Sequence, residues 1–354
     1  MKNSFIKHNQ PCIKKEDLTA VENVLRSNWI AQGPQVEELE LKFTSLFKGG
    51  TACAVSNGTS ALFLALKALK VTEGAFVALP TYACSALLNA IYLAGAKPIL
   101  VDVLDDTFCI DPREVEKYAS VANYIIAVHT FGSIANLDGL KKNNRQIIED
   151  CCQSLGAEGL HNTLGHQSDI SVFSFYATKL VAGGQGGMVW SKNRLFIDNI
   201  FDYRQFDCRE EYKPRFNFQM TDINAALINS QMERLKANCE RRKQIAKYYS
   251  SSLHESFVLQ SGTCEEKGVP YRYVLKAQNV KIRNKLLNHM NSKNVECVIP
   301  IQRYELLHRY LKLDPKLFPV SENLADTTIS IPIHASLSDD DVNYVKNALT
   351  LFKP

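Results

Sequence analysis

The sequence predicts an α/β fold in which a largely parallel β-sheet is covered by helices. Between about residues 50 and 190, short apolar runs alternate with patterns typical of amphipathic helices. The runs are continuous and rich in β-branched residues, as is typical of strands buried on both faces. Seven runs have this character: residues 52–55, 75–79, 98–101, 124–128, 146–148, 170–175 and 188–190.

Polar side chains follow five of these runs at the point where each strand is predicted to end. They belong to Ser56-Asn57-Gly58-Thr59-Ser60, Pro80-Thr81-Tyr82, His129-Thr130, Asp150 and Lys179. In open parallel sheets, ligands bind at the carboxyl ends of the strands. We therefore expect these five segments to meet at one crevice.

The remainder of the chain predicts a second, smaller α/β domain. A helical pattern begins near Asp222 and continues towards Tyr248, and its basic residues 241–243 are predicted to form a solvated helix face. After residue 250, short strands (271–276 and 295–301) mix with helices (282–291 and 339–352). The predicted division is a large domain over residues 1–240, including an N-terminal arm, and a small domain over residues 241–354.

The composition is that of a globular protein and gives no sign of nucleic-acid binding. Of 354 residues, 45% are hydrophobic and 22% are charged, and 41 basic against 37 acidic side chains give a net charge of +4. Residues 1–9 lack the apolar segment of a secretory signal. The longest apolar stretch, residues 83–96, is shorter than the roughly 18 residues of a membrane span. We expect a cytoplasmic protein that does not bind membranes.

The ten cysteines contain no C-x-x-C pair and lie mostly in apolar stretches, which predicts reduced core thiols. Cys151 and Cys152 with His161 and His166 suggest a metal site at first sight. Adjacent cysteines and a five-residue histidine spacing match no usual zinc pattern, so we expect no structural metal.

Lys179 lies between an apolar run and the glycine-rich stretch at residues 183–187. A lysine at a strand end, with hydroxyl groups and bare backbone around it, suits a Schiff-base amine. The alternative is a solvated surface lysine. The glycines do not form a dinucleotide-binding motif, because Val189 stands where a third glycine is required and a strand follows instead of a helix.

Two further segments contain residues that could bind a ligand. Gly58-Thr59-Ser60 opens a helix, and the N–H groups of a helix start together with two hydroxyls suit a phosphate. Ordinary capping by Ser56 or Asn57 is the alternative. Asp150 ends a buried run, where a carboxylate requires a cation such as a protonated pyridine nitrogen. It could instead cap a helix over residues 151–156.

These segments occur in an order that resembles the fold type I pyridoxal-phosphate enzymes, in particular the DegT/DnrJ/StrS group of sugar aminotransferases. The resemblance extends over nearly the whole chain. It rests on Trp29-Ile30-Ala31-Gln32-Gly33-Pro34, Ser56-Asn57-Gly58-Thr59-Ser60-Ala61-Leu62, Gly95-Ala96-Lys97-Pro98, Val128-His129-Thr130-Phe131-Gly132, Ile148-Glu149-Asp150-Cys151-Cys152-Gln153-Ser154-Leu155-Gly156-Ala157, Asp169, Ser174-Phe175, Lys179, Gly183-Gly184-Gln185-Gly186-Gly187, Asn217, Met220-Thr221-Asp222 and Ile331-Pro332-Ile333-His334.

The resemblance implies a fold type I architecture: a large domain with a mostly parallel seven-stranded sheet between helices, and a smaller C-terminal α/β domain. It implies that Lys179 is the Schiff-base lysine and the proton shuttle. Asp150 is the expected partner of the pyridine nitrogen, and Gln153 is expected beside the cofactor ring near its phenolic oxygen.

The family pattern also assigns the phosphate of pyridoxal phosphate. Ser174 is expected to hold it together with Gly58, Thr59 and Ser60. Asn217 is expected to reach the phosphate bound by the neighbouring subunit. The resemblance therefore implies a homodimer with shared active sites.

One position departs from the family pattern. Family members usually carry an aromatic residue that stacks on the cofactor ring, and Cys84 occupies that position here. The nearest aromatic residue, Tyr82, lies two residues earlier. Cys84 is expected to contact the ring without stacking on it, and whether Tyr82 compensates is open at the level of sequence.

The function implied by the resemblance is transfer of an amino group to a keto-sugar in amino-sugar or surface-polysaccharide biosynthesis. The expected donor is glutamate, and the expected acceptor is linked to a nucleoside diphosphate. Residues 29–34 and 209–215 are candidate acceptor contacts, with plain surface exposure as the alternative. Two other functions stay open: a sugar dehydratase on the same scaffold, whose members replace the lysine by histidine, and a non-catalytic regulatory protein.

Overall fold

The computed structural model describes residues 5–157, 164–263 and 267–354, and its larger sheet has seven strands. The strands are β1 (Thr51–Val55), β2 (Phe76–Pro80), β3 (Lys97–Val101), β4 (Ala122–Val128), β5 (Gln146–Asp150), β6 (Ile170–Ser174) and β7 (Gly187–Ser191). Their order across the sheet is β1-β7-β6-β5-β4-β2-β3. Each strand overlaps one of the seven apolar runs, so the predicted strands are confirmed.

The sheet is mostly parallel, as predicted, and β7 is its one antiparallel member. β7 pairs antiparallel with both β1 and β6. The chain passes from β6 to β7 through residues 175–186, which contain no helix. Because a parallel neighbour requires a crossover, usually helical, this short connection returns the chain in the opposite direction. Lys179 lies on this connection.

Both faces of the sheet are buried. Phe173 packs in a hydrophobic cluster on one face with Phe43 and Trp190, whereas its neighbour Val172 packs on the other face with Leu62. Successive side chains of a strand point to opposite faces. Burial on both faces therefore accounts for the continuous apolar runs in the sequence.

The helices of the described residues are α1 (Lys15–Ser27), α2 (Pro34–Leu46), α3 (Gly58–Ala68), α4 (Ala86–Leu93), α5 (Pro112–Glu116), α6 (Leu137–Leu140), α7 (Arg194–Arg204), α8 (Asp222–Met232), α9 (Leu235–Ser250), α10 (Val280–Ser292), α11 (Leu307–Tyr310), α12 (Pro319–Thr327) and α13 (Asp339–Thr350). α3 is buried on nearly all sides, from Ser60 to Leu66 and again at Ala68. A helix that is apolar all round packs inside a protein. Its start at Gly58 is thereby held next to the ends of the central strands.

A second, antiparallel sheet has the order β10-β9-β8 and consists of β8 (Phe257–Leu259), β9 (Tyr273–Ala277) and β10 (Thr328–Ile331). The strand predicted over 295–301 is wrong. Val295 and Val298 form only isolated bridges, to Ile6 and Ser330. Pro300 has no N–H group to extend a ladder there. Ile6 joins the hydrophobic cluster of this second sheet, so the N-terminal arm packs with the predicted small domain.

The long helix predicted from Asp222 is two helices. Between α8 and α9, Arg234 leaves helical geometry, with φ −107° and ψ 4°. Its guanidinium contacts the buried carboxylate of Asp17 in α1 at 2.7 Å. At this break, Arg234 therefore pairs with the buried carboxylate of Asp17, which lies far away in the sequence.

The basic residues at 241–243 do not form a solvated face. Arg242 is buried, and its guanidinium donates to the carbonyl oxygens of Pro270, Tyr271 and Ile333 at 3.3, 3.2 and 2.6 Å. Burial lowers the pKa of Arg242, and nearby Cys239 and Tyr271 oppose that shift. This arginine fixes the backbone that enters β9.

The predicted domain boundary at 240/241 falls inside α9, which is continuous from Leu235 to Ser250. We propose that α9 joins the two domains. None of the described helices has the length and hydropathy to cross a bilayer. The cytoplasmic location stays a prediction.

Candidate active site

The main cavity lies at the carboxyl ends of the parallel strands and has a volume of about 660 Å³. Of the nine predicted site residues, all but Asn217 line it: Gly58, Thr59, Ser60, Cys84, Asp150, Gln153, Ser174 and Lys179. They come from segments that follow β1, β2, β5 and β6. The expected meeting of strand ends at one crevice is thus observed for these segments.

One end of the cavity combines a helix start with a hydroxyl. Asn57 caps α3 by accepting from the backbone N–H and the hydroxyl of Ser60, at 2.9 and 3.1 Å. The capping that we considered as an alternative is therefore present. A Cβ added at Gly58 would lie 3.2 Å from Ser174 Oγ and 3.5 Å from Cys152 Sγ. Glycine therefore lets the start of α3 lie close to the end of β6, and we call this end of the cavity, formed by Gly58 and Ser174, the cradle.

Asp150 ends β5 with only 5% of its surface exposed. One carboxylate oxygen accepts from the N–H of Cys152 at 3.0 Å. The residues that follow form turns up to Gly156, so the alternative in which Asp150 caps a helix over 151–156 does not apply. A carboxylate anchored by one turn keeps its other oxygen available for a ligand cation.

Lys179 lies inside the cavity and not on the solvated surface. Its Nζ is 5.3 Å from the centre of the Tyr271 ring. Burial alone would lower the pKa of Lys179, but Tyr271, Cys152, Cys84 and Asp150 together raise it above its ordinary value. The cavity therefore stabilises the protonated amine in the free protein.

The connection that carries Lys179 is anchored to α8. Gln231 exchanges two hydrogen bonds with the backbone of Ala182, at 2.8 and 2.9 Å, and Asn224 donates to the carbonyl of Gly183 at 2.7 Å. Gly184 and Gly186 have φ of 77° and 141°, which favour glycine. These contacts hold the connection in one conformation.

The side chain of Gln153 is oriented by a backbone N–H group. Its side-chain oxygen accepts from the N–H of Phe131 at 2.8 Å. Because a backbone N–H can only donate, this contact fixes the orientation of the amide. The amide NH₂ group is then a donor on the side of the cavity.

Cys84 and Tyr82 occupy different surroundings. Cys84 is exposed within the cavity, and the cavity walls together with the charge of Asp150 raise the pKa of its thiol. Tyr82 is fully buried, and its hydroxyl bonds to Thr328 at 3.0 Å. Its ring packs edge-on against Phe108 and Phe131. Tyr82 forms part of the wall but is held by these contacts.

Two wall residues, Tyr271 and Arg272, were not predicted. They belong to the segment entering β9. Burial would raise the pKa of Tyr271, but Lys179 and Arg272 bring it below its ordinary value. The only signal in the sequence was a charged residue inside the apolar stretch 271–276, which we interpreted as part of a strand.

Asn217 and the candidate acceptor segments lie away from this cavity. Asn217 is exposed, although the adjacent Phe218 lines the cavity. Arg209, Lys213 and Arg215 converge on the carboxylate of Asp202. A separate cavity of about 450 Å³ is bordered by Trp29, Gln32, Gly33 and Pro34, and there the indole N–H of Trp29 donates to the carbonyl of Gln32 at 3.0 Å.

The cysteine and histidine residues considered for a metal site are only partly described. His161 and Cys264 lie outside the described residues, and His166 stacks on Trp190 at 4.7 Å. His129, Glu149 and Cys151 form a buried cluster. Glu149 accepts from Gly165 and Ser168, at 2.8 and 3.0 Å, and bonds to His129 at 2.9 Å. These hydrogen bonds occupy the carboxylate of Glu149 and one ring nitrogen of His129.

Cysteine burial is less uniform than predicted. Cys53, Cys109, Cys151, Cys239 and Cys297 are buried free thiols, but Cys84 and Cys208 are exposed. Cys84 is exposed because it faces the cavity.

The architecture is that of the fold type I aminotransferases. PseC of Helicobacter pylori, an aminotransferase involved in the biosynthesis of pseudoaminic acid, has a TM-score of 0.90 and 20% sequence identity, over 98% of each chain. Spr1654 of Streptococcus pneumoniae in its PLP form has a TM-score of 0.88 and 24% identity, over 98% of each chain. At these identities the likeness shows the fold.

The chain belongs to the DegT/DnrJ/EryC1/StrS aminotransferase family, whose model matches residues 11–350. GDP-perosamine synthase of Escherichia coli O157:H7 is 29% identical in an alignment of 362 positions that covers 98% of this chain and 98% of that protein. The dTDP-3-amino-3,6-dideoxy-alpha-D-galactopyranose transaminase of Aneurinibacillus thermoaerophilus is 29% identical in an alignment of 351 positions that covers 96% of each protein. The family, with neighbours solved in PLP and PMP forms, indicates pyridoxal phosphate as the cofactor.

Proposed function

We propose that this protein transfers an amino group from glutamate to a keto-sugar linked to a nucleoside diphosphate, using pyridoxal phosphate. The carrying observation is that the amine of Lys179, the carboxylate of Asp150 and the cradle at Gly58 share one cavity of about 660 Å³. The acceptor class is supported by the names of two relatives, a GDP-perosamine synthase and a dTDP-amino-sugar transaminase. The product would serve amino-sugar or polysaccharide biosynthesis.

The residues present fit the cofactor. Gly58 lets the start of a helix lie close to Ser174 Oγ, and a helix start beside a hydroxyl suits a phosphate; Thr59 and Ser60 line the same cavity. Asp150 is nearly buried, and no ion pair joins it to a described residue. A protonated ring nitrogen would satisfy it.

When bound, pyridoxal phosphate supplies an electron-accepting ring that stabilises negative charge at the donor's α-carbon. Asp150 would hold the protonated ring nitrogen, and the NH₂ group of Gln153 would serve the phenolic oxygen. Lys179 would bind the cofactor through its amine, and the same amine would serve as the base that moves a proton at the donor's α-carbon. The anchored connection to α8 keeps Nζ within reach throughout.

A direct experiment tests this function. The purified protein is loaded with pyridoxal phosphate, and its absorbance is followed while glutamate is added. We expect the band of the lysine-bound cofactor to disappear as 2-oxoglutarate forms. Lys179→Ala should abolish this half-reaction, whereas Lys247→Ala, at an exposed position of α9, should not change it.

The other outcomes separate the alternatives. A protein that cannot be loaded with the cofactor contradicts the proposal. A coloured protein that reacts with no amino donor is a non-catalytic binding protein. A coloured protein that releases water from a sugar substrate without consuming the donor's amine is a dehydratase.

We also propose a homodimer in which Asn217 of one subunit reaches the cavity of the other. Asn217 is exposed and outside the cavity of its own chain. The cavity rim includes Leu93, which is 58% exposed next to Tyr92 at 52%. A second subunit covering this apolar rim would remove it from water.

A further inference from the structure

Arg272 is a cation in the cavity wall that forms no ion pair with any residue the structure describes. Its Nη1 atom is shielded from solvent and has no hydrogen-bond acceptor. Over residues 5–157, 164–263 and 267–354, no carboxylate forms an ion pair with its guanidinium. The group lies between two aromatic rings, with Cζ 5.5 Å from the centre of Phe131 and 6.0 Å from that of Tyr271. A shielded N–H without an acceptor is costly, so a ligand that supplies one would bind favourably.

Shielded N–H groups without an acceptor also occur on Arg145, Arg234 and Arg283, but none of these three residues lines the main cavity. Arg242 donates to three backbone carbonyls, and Arg204 donates to Glu40 and to the carbonyl of Ala54, at 2.7 and 2.6 Å. Neither of these two residues lines the main cavity. Of these six arginines, Arg272 alone combines a shielded N–H without an acceptor with a position in the cavity wall.

Arg272 is also the cation of the cavity that the cofactor does not use in the proposed function. Among the described lining residues, only Lys179 and Arg272 are cationic, and Lys179 is committed to the cofactor in the proposed function. Both groups lie within 6.0 Å of the centre of the same Tyr271 ring. A substrate whose amine reacts at Lys179 can therefore present an anionic group to Arg272.

The backbone around Arg272 is fixed before any ligand arrives. Its N–H donates to the carbonyl of Phe131 at 3.4 Å, and Arg242 holds the carbonyl of Tyr271 at 3.2 Å. The planar guanidinium offers paired N–H donors that match a carboxylate. Preorganisation of this kind lowers the entropic cost of binding.

We propose that Arg272 binds a carboxylate of the amino donor and thereby selects amino acids over simple amines. This inference rests on the proposed function and adds the residue that determines donor specificity. A carboxylated sugar acceptor would present the same chemistry to Arg272. The donor is favoured because every α-amino acid carries a carboxylate on its reacting carbon.

The test measures binding of glutarate, a dicarboxylate without an amine, to the cofactor-loaded protein by calorimetry. We expect Arg272→Gln to weaken glutarate binding by about 10- to 100-fold, as for the loss of a charged hydrogen bond. Arg272→Lys keeps the charge but loses the planar guanidinium, so its affinity for glutarate should lie between those of the natural protein and Arg272→Gln. The matched control is Arg194→Gln, whose side chain is 79% exposed on α7, and it should bind glutarate like the natural protein.

A second measurement separates donor recognition from a structural role. The half-reaction is followed spectroscopically with glutamate and with ethanolamine, an amine that has no carboxylate. We expect Arg272→Gln to slow the reaction with glutamate by at least about tenfold and to leave that with ethanolamine nearly unchanged. Equal slowing with both donors would assign Arg272 a structural role and overturn the proposal.

The failures are distinguishable. If the protein cannot be loaded with cofactor, the proposed function fails first. If the loaded protein reacts with glutamate but Arg272→Gln binds glutarate as tightly as the natural protein, only the present inference is wrong. The same holds if the natural protein does not bind glutarate and only a carboxylated sugar depends on Arg272.

Discussion

Lys179 and Tyr271 face each other inside the cavity, with Lys179 Nζ 5.3 Å from the centre of the Tyr271 ring. The two residues shift each other's titration, because the pKa of Lys179 is raised and that of Tyr271 is lowered. The pair therefore favours an ammonium beside a phenolate. Since only a neutral amine attacks an aldehyde, this relationship governs how the free protein takes up its cofactor.

The first prediction concerns the pH dependence of cofactor loading. A raised pKa of Lys179 leaves little neutral amine at pH 7, so the loading rate should increase with pH up to that pKa. Tyr271→Phe removes the ionisable hydroxyl whose negative charge favours the ammonium, which should lower the pKa of Lys179 and move the loading profile to lower pH. The profile is measured by stopped-flow absorbance after mixing the free protein with pyridoxal phosphate.

Tyr212→Phe is the matched control, because Tyr212 is 94% exposed. It should leave the profile where it is. An identical profile for Tyr271→Phe and the natural protein would contradict the coupling.

The second prediction concerns the phosphate cradle. Gly58→Ala places a methyl group 3.2 Å from Ser174 Oγ, and Ser174→Ala removes that hydroxyl. Loss of a charged hydrogen bond of about 1.5–3 kcal/mol should weaken cofactor binding by about 10- to 100-fold in Ser174→Ala. Gly58→Ala should weaken it as well, because the methyl group would crowd Ser174 and displace the start of α3.

Both affinities are measured by titration with pyridoxal phosphate. Ser45→Ala, at an exposed position of α2, should bind the cofactor normally. If Gly58→Ala and Ser174→Ala retain normal affinity, the phosphate does not bind in this cradle.

The third prediction concerns Cys84. Its thiol is exposed inside the cavity, so a maleimide should label it in the free protein and bound cofactor should protect it. Because the pKa of Cys84 is raised, the thiolate forms late and labelling should accelerate as the pH increases. Cys208, which is exposed outside the cavity, should be labelled with or without cofactor. The extent of labelling is measured by mass spectrometry of the peptides that contain Cys84 and Cys208. Labelling of Cys84 in the cofactor-loaded protein would show that the cofactor ring does not cover it.

The strands of the large sheet could be predicted from the sequence because most of them are parallel. Strands such as β6 bury both faces and therefore appear as continuous apolar runs. The carboxyl ends of these strands meet at one edge, so Asp150 and Lys179 could be placed in one crevice before the structure was known. The positions of Asp150 and Lys179 relative to the predicted strands were therefore sufficient to predict this part of the site.

The features that were predicted wrongly, or not at all, depend on contacts between distant segments. The helix break at Arg234 depends on Asp17 in α1, and the burial of Arg242 depends on carbonyl groups at Pro270 and Ile333. Tyr271 and Arg272 reach the cavity because the segment entering β9 packs against the residues after β4, where the N–H of Arg272 donates to the carbonyl of Phe131. No local pattern encodes such contacts, since each requires the packing of complete elements.

The fourth prediction concerns the shared active site. If Asn217 serves the cavity of the partner subunit, a mixture of Lys179→Ala and Asn217→Ala proteins should regain activity after their subunits exchange. In the mixed dimer, one cavity has an intact Lys179 and receives an intact Asn217 from the other subunit. With random exchange in a symmetric dimer, about a quarter of the natural activity should return, measured at a cofactor concentration where Asn217→Ala alone is inactive. If Asn217 acted within its own chain, the mixed dimer would contain no complete site, and activity would stay at the level of the separate variants.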